Sequence, residues 1–365
     1  MTVESRSRVL LTVSGVIPES LDAEVAAGLR PRADYRVLAE QMDADVVDVT
    51  RALAETGRVG RVLQRAGAGV LLGWYAFRHR RRYSVLLTDG EQVGIPLALL
   101  TRLFGRGGSR HVMIAHVLSV PKKARLIATA RLASQIDRFV VYSSWQAGFV
   151  VARFGVDASR VVHSTFMVDA RFFDPSICNV PQRRMISAAG LERRDYPTLM
   201  AAVGGLDVEV LIATASPWSK WADSTADRPL PDNVTIVQLS LLELRQMYAA
   251  AQFVVVPLTD VDFQAGITAI LEAMAMGKAV VCTRTRGQTD TVIDGETGVY
   301  VAPGDVAGMR QTIASLLADE ERTSRLGEAA REWVLAQATI ERYAEALDQV
   351  VTGTLVATES GRADQ

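Results

Sequence analysis

The residues best suited to chemistry cluster between Gln264 and Asp305. Glu272 stands among apolar neighbours in the run ITAILEAMAM, and a carboxylate left alone on a buried face is costly. A ribose diol, with two hydroxyl donors, would satisfy it; a surface position or a pairing with a nearby Arg or Lys is the structural alternative. Gly266 precedes the same run. Backbone N–H groups at such a helix start, from Ala265 and Gly266 through Ile267 and Thr268, suit a phosphate or a sugar oxygen, as does the positive end of the helix dipole. Further back, Arg193 and Arg194 follow a strand-like run that closes at Gly190. Arginine offers phosphate oxygens a planar, permanently charged fork, although two arginines after a strand also serve as plain solvated charge.

A second set of candidates is spread over the first half of the chain. Gly15 follows the first apolar run and is either a simple turn or a place where a phosphate approaches the backbone closely. The stretch TDGEQVG sets Asp89 and Glu91 on a loop at the edge of the sheet, as helix caps, as solvated charge, or to orient an acceptor hydroxyl. Paired carboxylates also perform glycoside hydrolysis, but no second acidic pair with a clear partner accompanies these two. His116 ends the run HVMIAH, either bonded to backbone or available to a reacting group; His111, at the start of that run, falls at the opposite end of the sheet. Lys122 and Lys123 open the next helix, where the dipole repels them, and an anionic acceptor would suit them better.

The elements that must hold these residues read as alternating strands and helices. Val9–Val13, Val46–Val49, Ser84–Leu87, Val112–Ala115 and Phe139–Tyr142 are short apolar runs of the kind buried on both faces of a parallel sheet. Ile95–Leu103, Lys122–Gln135 and Trp145–Phe154 lie between them as crossover helices. A second series runs through Met185–Ala189, Val208–Ala213, Val234–Val237, Phe253–Pro257, Ala279–Cys282 and Gly298–Val301, with helices over Pro197–Val203, Leu241–Ala250 and Ala269–Met276. The pattern predicts an α/β chain of two Rossmann-like, doubly wound domains facing a central cleft, with ligands at the carboxyl ends of the strands. The expected division is 1–175, then 184–338, with a last helix over 339–357. The seam is the irregular stretch 174–184.

Composition narrows the partners. The 365 residues are 49% hydrophobic and 22% charged, and 40 basic side chains nearly cancel 41 acidic ones, so nucleic acid is not expected. Cys178 and Cys282 lie far apart without metal-like spacing, which points to free thiols, no metal site and a reducing, cytoplasmic setting. The apolar run before Gly15 is shorter than a secretory signal requires, and no run is long enough to span a bilayer. Ala66–Phe77, followed by the basic run Arg78–Arg82, reads as a packed helix with a solvated basic end or, alternatively, as an element lying on the inner face of an anionic membrane.

The strings LEAMAMGKAVV from Leu271 and DGETGVYVAPGD from Asp294 resemble the C-terminal signature of the retaining GT-B glycosyltransferases of the large family four. The resemblance implies transfer of a sugar from a nucleoside diphosphate sugar to the hydroxyl of a small-molecule or lipid acceptor, with no cofactor and no metal. It implies that the last helix, 339–357, returns to the first domain, that Glu272 holds the nucleotide ribose and that the position eight earlier contacts the donor sugar. That position is Gln264 here, where the family has glutamate. In AAGLERRDYPTL from Ala188, Gly190 matches the family's strand-ending glycine. Leu191 replaces its arginine, and Arg194 falls where its diphosphate-binding lysine is expected, with Arg193 beside it. His116 stands where the family places a histidine near the reacting carbon. His116, Arg194 and Gln264 are thus the candidate catalytic residues. A sugar-nucleotide epimerase or inverting transferase of the same architecture is one rival reading; a non-catalytic binder, prompted by Gln264, is the other.

Overall fold

The structure, a computed structural model, describes residues 9–214 and 230–363. Two compact units result. One is built on Arg32–Ser164 together with the chain before Glu24 and the end of the last helix from Tyr343; the other is built on Thr165–Arg342 together with Glu24–Pro31. Residues 165–184 therefore belong to the second unit: Val168 N donates to Ala338 O, and Phe172 and Phe173 are buried there.

In the first unit six strands lie in one sheet: β1 (Val9–Thr12), β2 (Ala44–Val47), β3 (Val85–Thr88), β4 (Arg110–Ala115), β5 (Arg138–Val141) and β6 (Val161–His163). Their order is β2-β1-β3-β4-β5-β6 and every pairing is parallel, with Thr12 in register with both Val47 and Thr88. The helices are α2 (Asp34–Met42), α3 (Val49–Ala66), α4 (Ala68–His79), α5 (Glu91–Phe104), α6 (Pro121–Thr129) and α7 (Ser144–Phe154), while the short α1 (Leu21–Ala26) starts in this unit and ends in the other. Successive strand residues point to opposite faces, so Leu10 and Leu86 pack with Leu71 and Leu72 of α4, while Met113 and Phe139 pack with Ile127 and Leu132. Each such side chain stabilises the fold by about 1.5–3 kcal/mol through burial.

The second unit repeats the plan with β7 (Met185–Ala189), β8 (Glu209–Ala213), β9 (Val234–Val237), β10 (Phe253–Val256), β11 (Ala279–Thr283) and β12 (Gly298–Val301), ordered β12-β11-β10-β7-β8-β9 and all parallel. Its helices are α8 (Tyr196–Val203), α9 (Leu241–Ala250), α10 (Ile267–Ala275), α11 (Val306–Ala318) and α12 (Glu320–Gln337). The last helix, α13 (Ile340–Ala363), starts in this unit and continues in the first. Val254 and Val256 face one layer with Met274, and Val255 and Val281 face the other with Leu199.

Several expectations needed correction. Glu91 does not sit on a loop: it opens α5, which starts four residues before the apolar run that signalled it, and its side chain is buried. The helix expected over Lys122–Gln135 stops at Thr129, because Arg131 takes a left-handed conformation (φ 49°) before a short 3-10 turn. The edge strand β6 escaped notice because it is three residues long. Ala68–His79 forms a packed helix, with Leu71, Leu72, Tyr75 and Ala76 buried. Among the described residues no helix is long and apolar enough to cross a membrane, and no group of His, Cys, Asp and Glu is arranged to hold a metal.

Candidate active site

In the second unit the chemistry gathers at the carboxyl ends of β7 and β10. The chain leaves β7 at Gly190, in a left-handed conformation (φ 98°), and turns back through Arg193, also left-handed (φ 57°). That turn is fastened to the neighbouring strand: Thr259 N donates to Arg193 O at 2.9 Å, and Arg194 bridges to Leu258. It delivers the Arg194 side chain, 7% exposed, across the strand end. Nε donates to Ala189 O at 2.8 Å and Nη1 to Glu192 O at 2.9 Å, so backbone carbonyls fix the plane of the guanidinium.

Two glycines make room for it. A Cβ on Gly190 would lie 2.5 Å from Arg194 Nη2. One on Gly266 would lie 2.8 Å from Val256 Cγ1 and 3.3 Å from Arg194 Nη1, at φ 77°. Gly266 is the N-cap of α10 and no side chain caps that helix, so the N–H groups of its first turn open beside the guanidinium. A fixed planar cation next to open helix N–H groups is an arrangement for a phosphate.

Glu272 lies on the same helix and is 8% exposed. Tyr248 Oη, from α9, donates to its Oε2 at 3.1 Å. Burial pushes the carboxyl up to about 8, against the lowering effects of the Tyr248 hydrogen bond and of Arg194. A carboxyl held by one hydroxyl retains acceptor capacity for others. Neither a surface position nor an ion pair describes Glu272. Gln264 is half-buried; its Nε2 donates to Thr291 Oγ1 at 3.3 Å, and its Oε1 has no partner among the described residues. Behind it the backbones of Gly287 and Phe263 abut, which fixes the loop carrying Gln264. Ala265 and Ile267 are buried, whereas Thr268 is exposed on the first turn of α10. Arg194, Gly266 and Glu272 are thus brought together, with Gln264 just ahead of the helix.

The first unit carries its own cluster at the carboxyl ends of β1, β3, β4 and β5. Asp89 accepts the Ser14 N–H through both carboxylate oxygens, at 3.2 and 3.1 Å, which places Gly15 one residue beyond that contact. Burial, with Asp34 adding to it, pushes the Asp89 carboxyl up to about 7 despite that hydrogen bond. Glu91 has found partners within the chain: Lys123 Nζ donates to Oε1 at 2.6 Å and the His116 N–H to Oε2 at 2.9 Å. Burial raises its carboxyl, but Lys123 and His116 outweigh it and the net shift is downward. The ring of His116, an exposed residue, lies 5.4 Å from that of Tyr142, whose hydroxyl meets Tyr343 Oη at 2.7 Å. Lys123 is therefore the counter-ion of Glu91 and not open to an anionic acceptor, while Lys122 is exposed.

Sequence reasoning missed Tyr248, Asp34, Tyr142 and Tyr343. Asp34, at the start of α2, has its carboxyl raised by burial and lies close enough to His116 and Asp89 to interact electrostatically with both. None of the four has a local signal, since each meets its partner only through the fold.

Comparison with known proteins gives these sites a setting. The family described as glycosyl transferases group 1 matches residues 193–319, the stretch that holds Arg194, Gly266 and Glu272. A GDP-mannose-dependent alpha-(1-6)-phosphatidylinositol monomannoside mannosyltransferase of Mycolicibacterium smegmatis is 43% identical over 65 residues, covering 18% of this chain and 17% of that one. A D-inositol 3-phosphate glycosyltransferase of Segniliparus rotundus is 26% identical over 293 residues, 72% of this chain and 64% of its own. The chain thus spans between 17% and 64% of the lengths of these curated relatives. Among solved structures, Anabaena HepE in complex with UDP and glucose superposes with a TM-score of 0.67 at 14% identity, covering 95% of this chain and 99% of that one. Sucrose-phosphate synthase from Thermosynechococcus elongatus also gives 0.67, at 22% identity, over 83% and 80%. At these identities the likeness establishes the fold, the GT-B arrangement of two parallel α/β units.

Proposed function

We propose that this chain, which carries the group 1 glycosyl transferase signature over residues 193–319, moves a sugar from a nucleoside diphosphate sugar to an acceptor hydroxyl with retained anomeric configuration. The observation that carries the reading is the Arg194 guanidinium, held in plane between Gly190 and Gly266 beside the open first turn of α10. A diphosphate fits there as the group on which negative charge grows when the sugar leaves. A preorganised cation and N–H donors stabilise that developing charge without reorganising during the step. The ribose hydroxyls would donate to Glu272, which already accepts from Tyr248. The leaving phosphate oxygen takes the acceptor's proton on the face the sugar departs from, so the chain need supply no separate base. Gln264, whose buried amide oxygen has no partner among the described residues, contacts the donor sugar as a neutral group. In the first unit Asp89 and His116 orient the acceptor. The GDP-mannose-dependent mannosyltransferase relative and HepE, solved with UDP and glucose, support this class of donor by analogy.

The test is turnover of a panel of nucleoside diphosphate sugars, with the product anomer read by proton NMR. Arg194→Ala should lower kcat/KM by at least about a hundredfold, roughly 3 kcal/mol of transition-state stabilisation. Transfer by Arg194→Ala at the wild-type rate, or an inverted product, would sink this reading.

A further inference from the structure

Between Glu55 and Asp89 the chain has no acidic residue, yet it carries Arg58, Arg61 and Arg65 on α3 and the run Arg78–Arg82 at the end of α4. Within the second group Arg78, Arg81 and Arg82 are exposed and Arg80 alone is held. Arg80 is tied down: its guanidinium donates to Phe77 O at 2.8 Å and to Gly105 O at 2.9 Å and lies 3.8 Å from the centre of the Phe77 ring. Arg58, Arg61 and Arg65 are exposed, and none makes a side-chain hydrogen bond or ion pair among the described residues.

The backbone of α3 explains their display. Gly57 has non-helical angles (φ 54°, ψ −123°), so the second half of the helix takes its own direction. In that half Gly60 turns inward against Leu71 of α4, and Leu63 packs on the same cluster. The opposite face then presents Arg58, Arg61 and Arg65 at i, i+3 and i+7, interleaved with Val59 and Val62, which are 52% and 63% exposed. Exposed valines between unpaired arginines do not suit plain solvation, and a nucleic acid backbone offers nothing to aliphatic side chains. An anionic bilayer satisfies both sets at once, with guanidinium groups at the lipid phosphates and valines at the acyl boundary.

We infer that the second half of α3 is a docking face for an anionic membrane surface, with Val59 and Val62 entering the interface and Arg58, Arg61 and Arg65 holding it there. This relocates the membrane contact suggested by the sequence around Ala66–Phe77, since α4 is packed and α3 bears the open face. The inference does not depend on the proposed transfer reaction, because it is read without donor or acceptor.

The experiment is co-sedimentation of the full chain with vesicles of phosphatidylcholine alone or with one-third phosphatidylglycerol, at low and physiological salt. The chain should bind the anionic vesicles at least tenfold better than the neutral ones, and added salt should weaken the attachment. Arg61→Glu/Arg65→Glu and Val59→Ser/Val62→Ser should each reduce binding at least fivefold, and by more than Arg81→Glu/Arg82→Glu, whose side chains are exposed but lie outside α3. All the altered side chains are exposed, and circular dichroism melting checks each variant. A Val62→Trp chain gives an independent reading, with tryptophan emission shifting to the blue on anionic vesicles only. The inference is overturned if the chain ignores anionic vesicles at low salt or if the serine variants bind as wild type. It fails equally if binding follows Arg81 and Arg82, or if a short DNA duplex competes as well as the lipid.

Discussion

Two buried glutamates, one at each sheet's carboxyl edge, stand in opposite electrostatic states. Glu91 has a cation at 2.6 Å and a backbone N–H at 2.9 Å, and these hold its carboxyl below the ordinary range. Glu272 has a tyrosine hydroxyl at 3.1 Å, and burial holds its carboxyl up near 8. The first is satisfied by its own chain and fastens α5, α6 and the end of β4 together. The second keeps capacity for a ligand and lies on the helix whose start faces Arg194. A carboxyl whose ionisation is unfavourable without a ligand is the better candidate for binding. By this criterion Glu272 is a better candidate for a ligand than Glu91, whose paired charges serve the architecture of the first unit.

The contrast can be broken most severely at Gly266. Gly266→Ala places a Cβ against Val256 in a left-handed backbone, which should destabilise the chain by about 1–3 kcal/mol and reduce transfer to near background. Thermal melting and a turnover assay check both parts.

Glu272→Gln should give an effect of medium size with a distinctive pH dependence. Because the folded carboxyl titrates near 8, above its unfolded value, ionising it opposes folding. The wild-type chain therefore loses this contribution as pH rises from about 4.5 towards 8, and the glutamine variant does not. The variant should melt higher at pH 8 by roughly 1–3 kcal/mol, with little difference at pH 5, while binding nucleotide more weakly. Equal melting shifts at both pH values would refute the assigned state of Glu272.

The smallest effect belongs to Glu91→Gln. Its carboxyl is depressed, so its stabilisation is present above the unfolded value and lost as pH falls through the folded one. The Lys123 side chain is 35% exposed and screened by solvent, so the pair contributes only about 1 kcal/mol. Donor affinity should be unchanged, and acid-induced unfolding should begin at slightly higher pH.

The two clusters also differ in how far the sequence reveals them. Arg194, Gly266 and Glu272 could be read because strand ends and a helix start lie within short stretches that carry a recurring pattern of glycine, charge and apolar spacing. Their support could not: Tyr248 lies 24 residues from Glu272 and meets it only across packed helices. In the first unit Asp34, Asp89, His116 and Tyr142 sit at separate strand ends or on another helix, and Tyr343 comes from α13. No spacing along the chain announces such a group. The alternation of strands was legible because buried parallel strands are uninterrupted apolar runs. The start of α5 was not, because the polar residues before Val93 hid its first turn.

The most direct test is calorimetric titration of UDP, GDP and ADP into the wild-type chain and into Arg194→Ala and Glu91→Gln. The account predicts micromolar or tighter binding of at least one of them by wild type, a loss of at least about fiftyfold in Arg194→Ala, and affinity within twofold in Glu91→Gln, since the lost contact is a charge-assisted phosphate clamp of roughly 2 kcal/mol or more. Binding that survives in Arg194→Ala, or that is lost equally in Glu91→Gln, would contradict it.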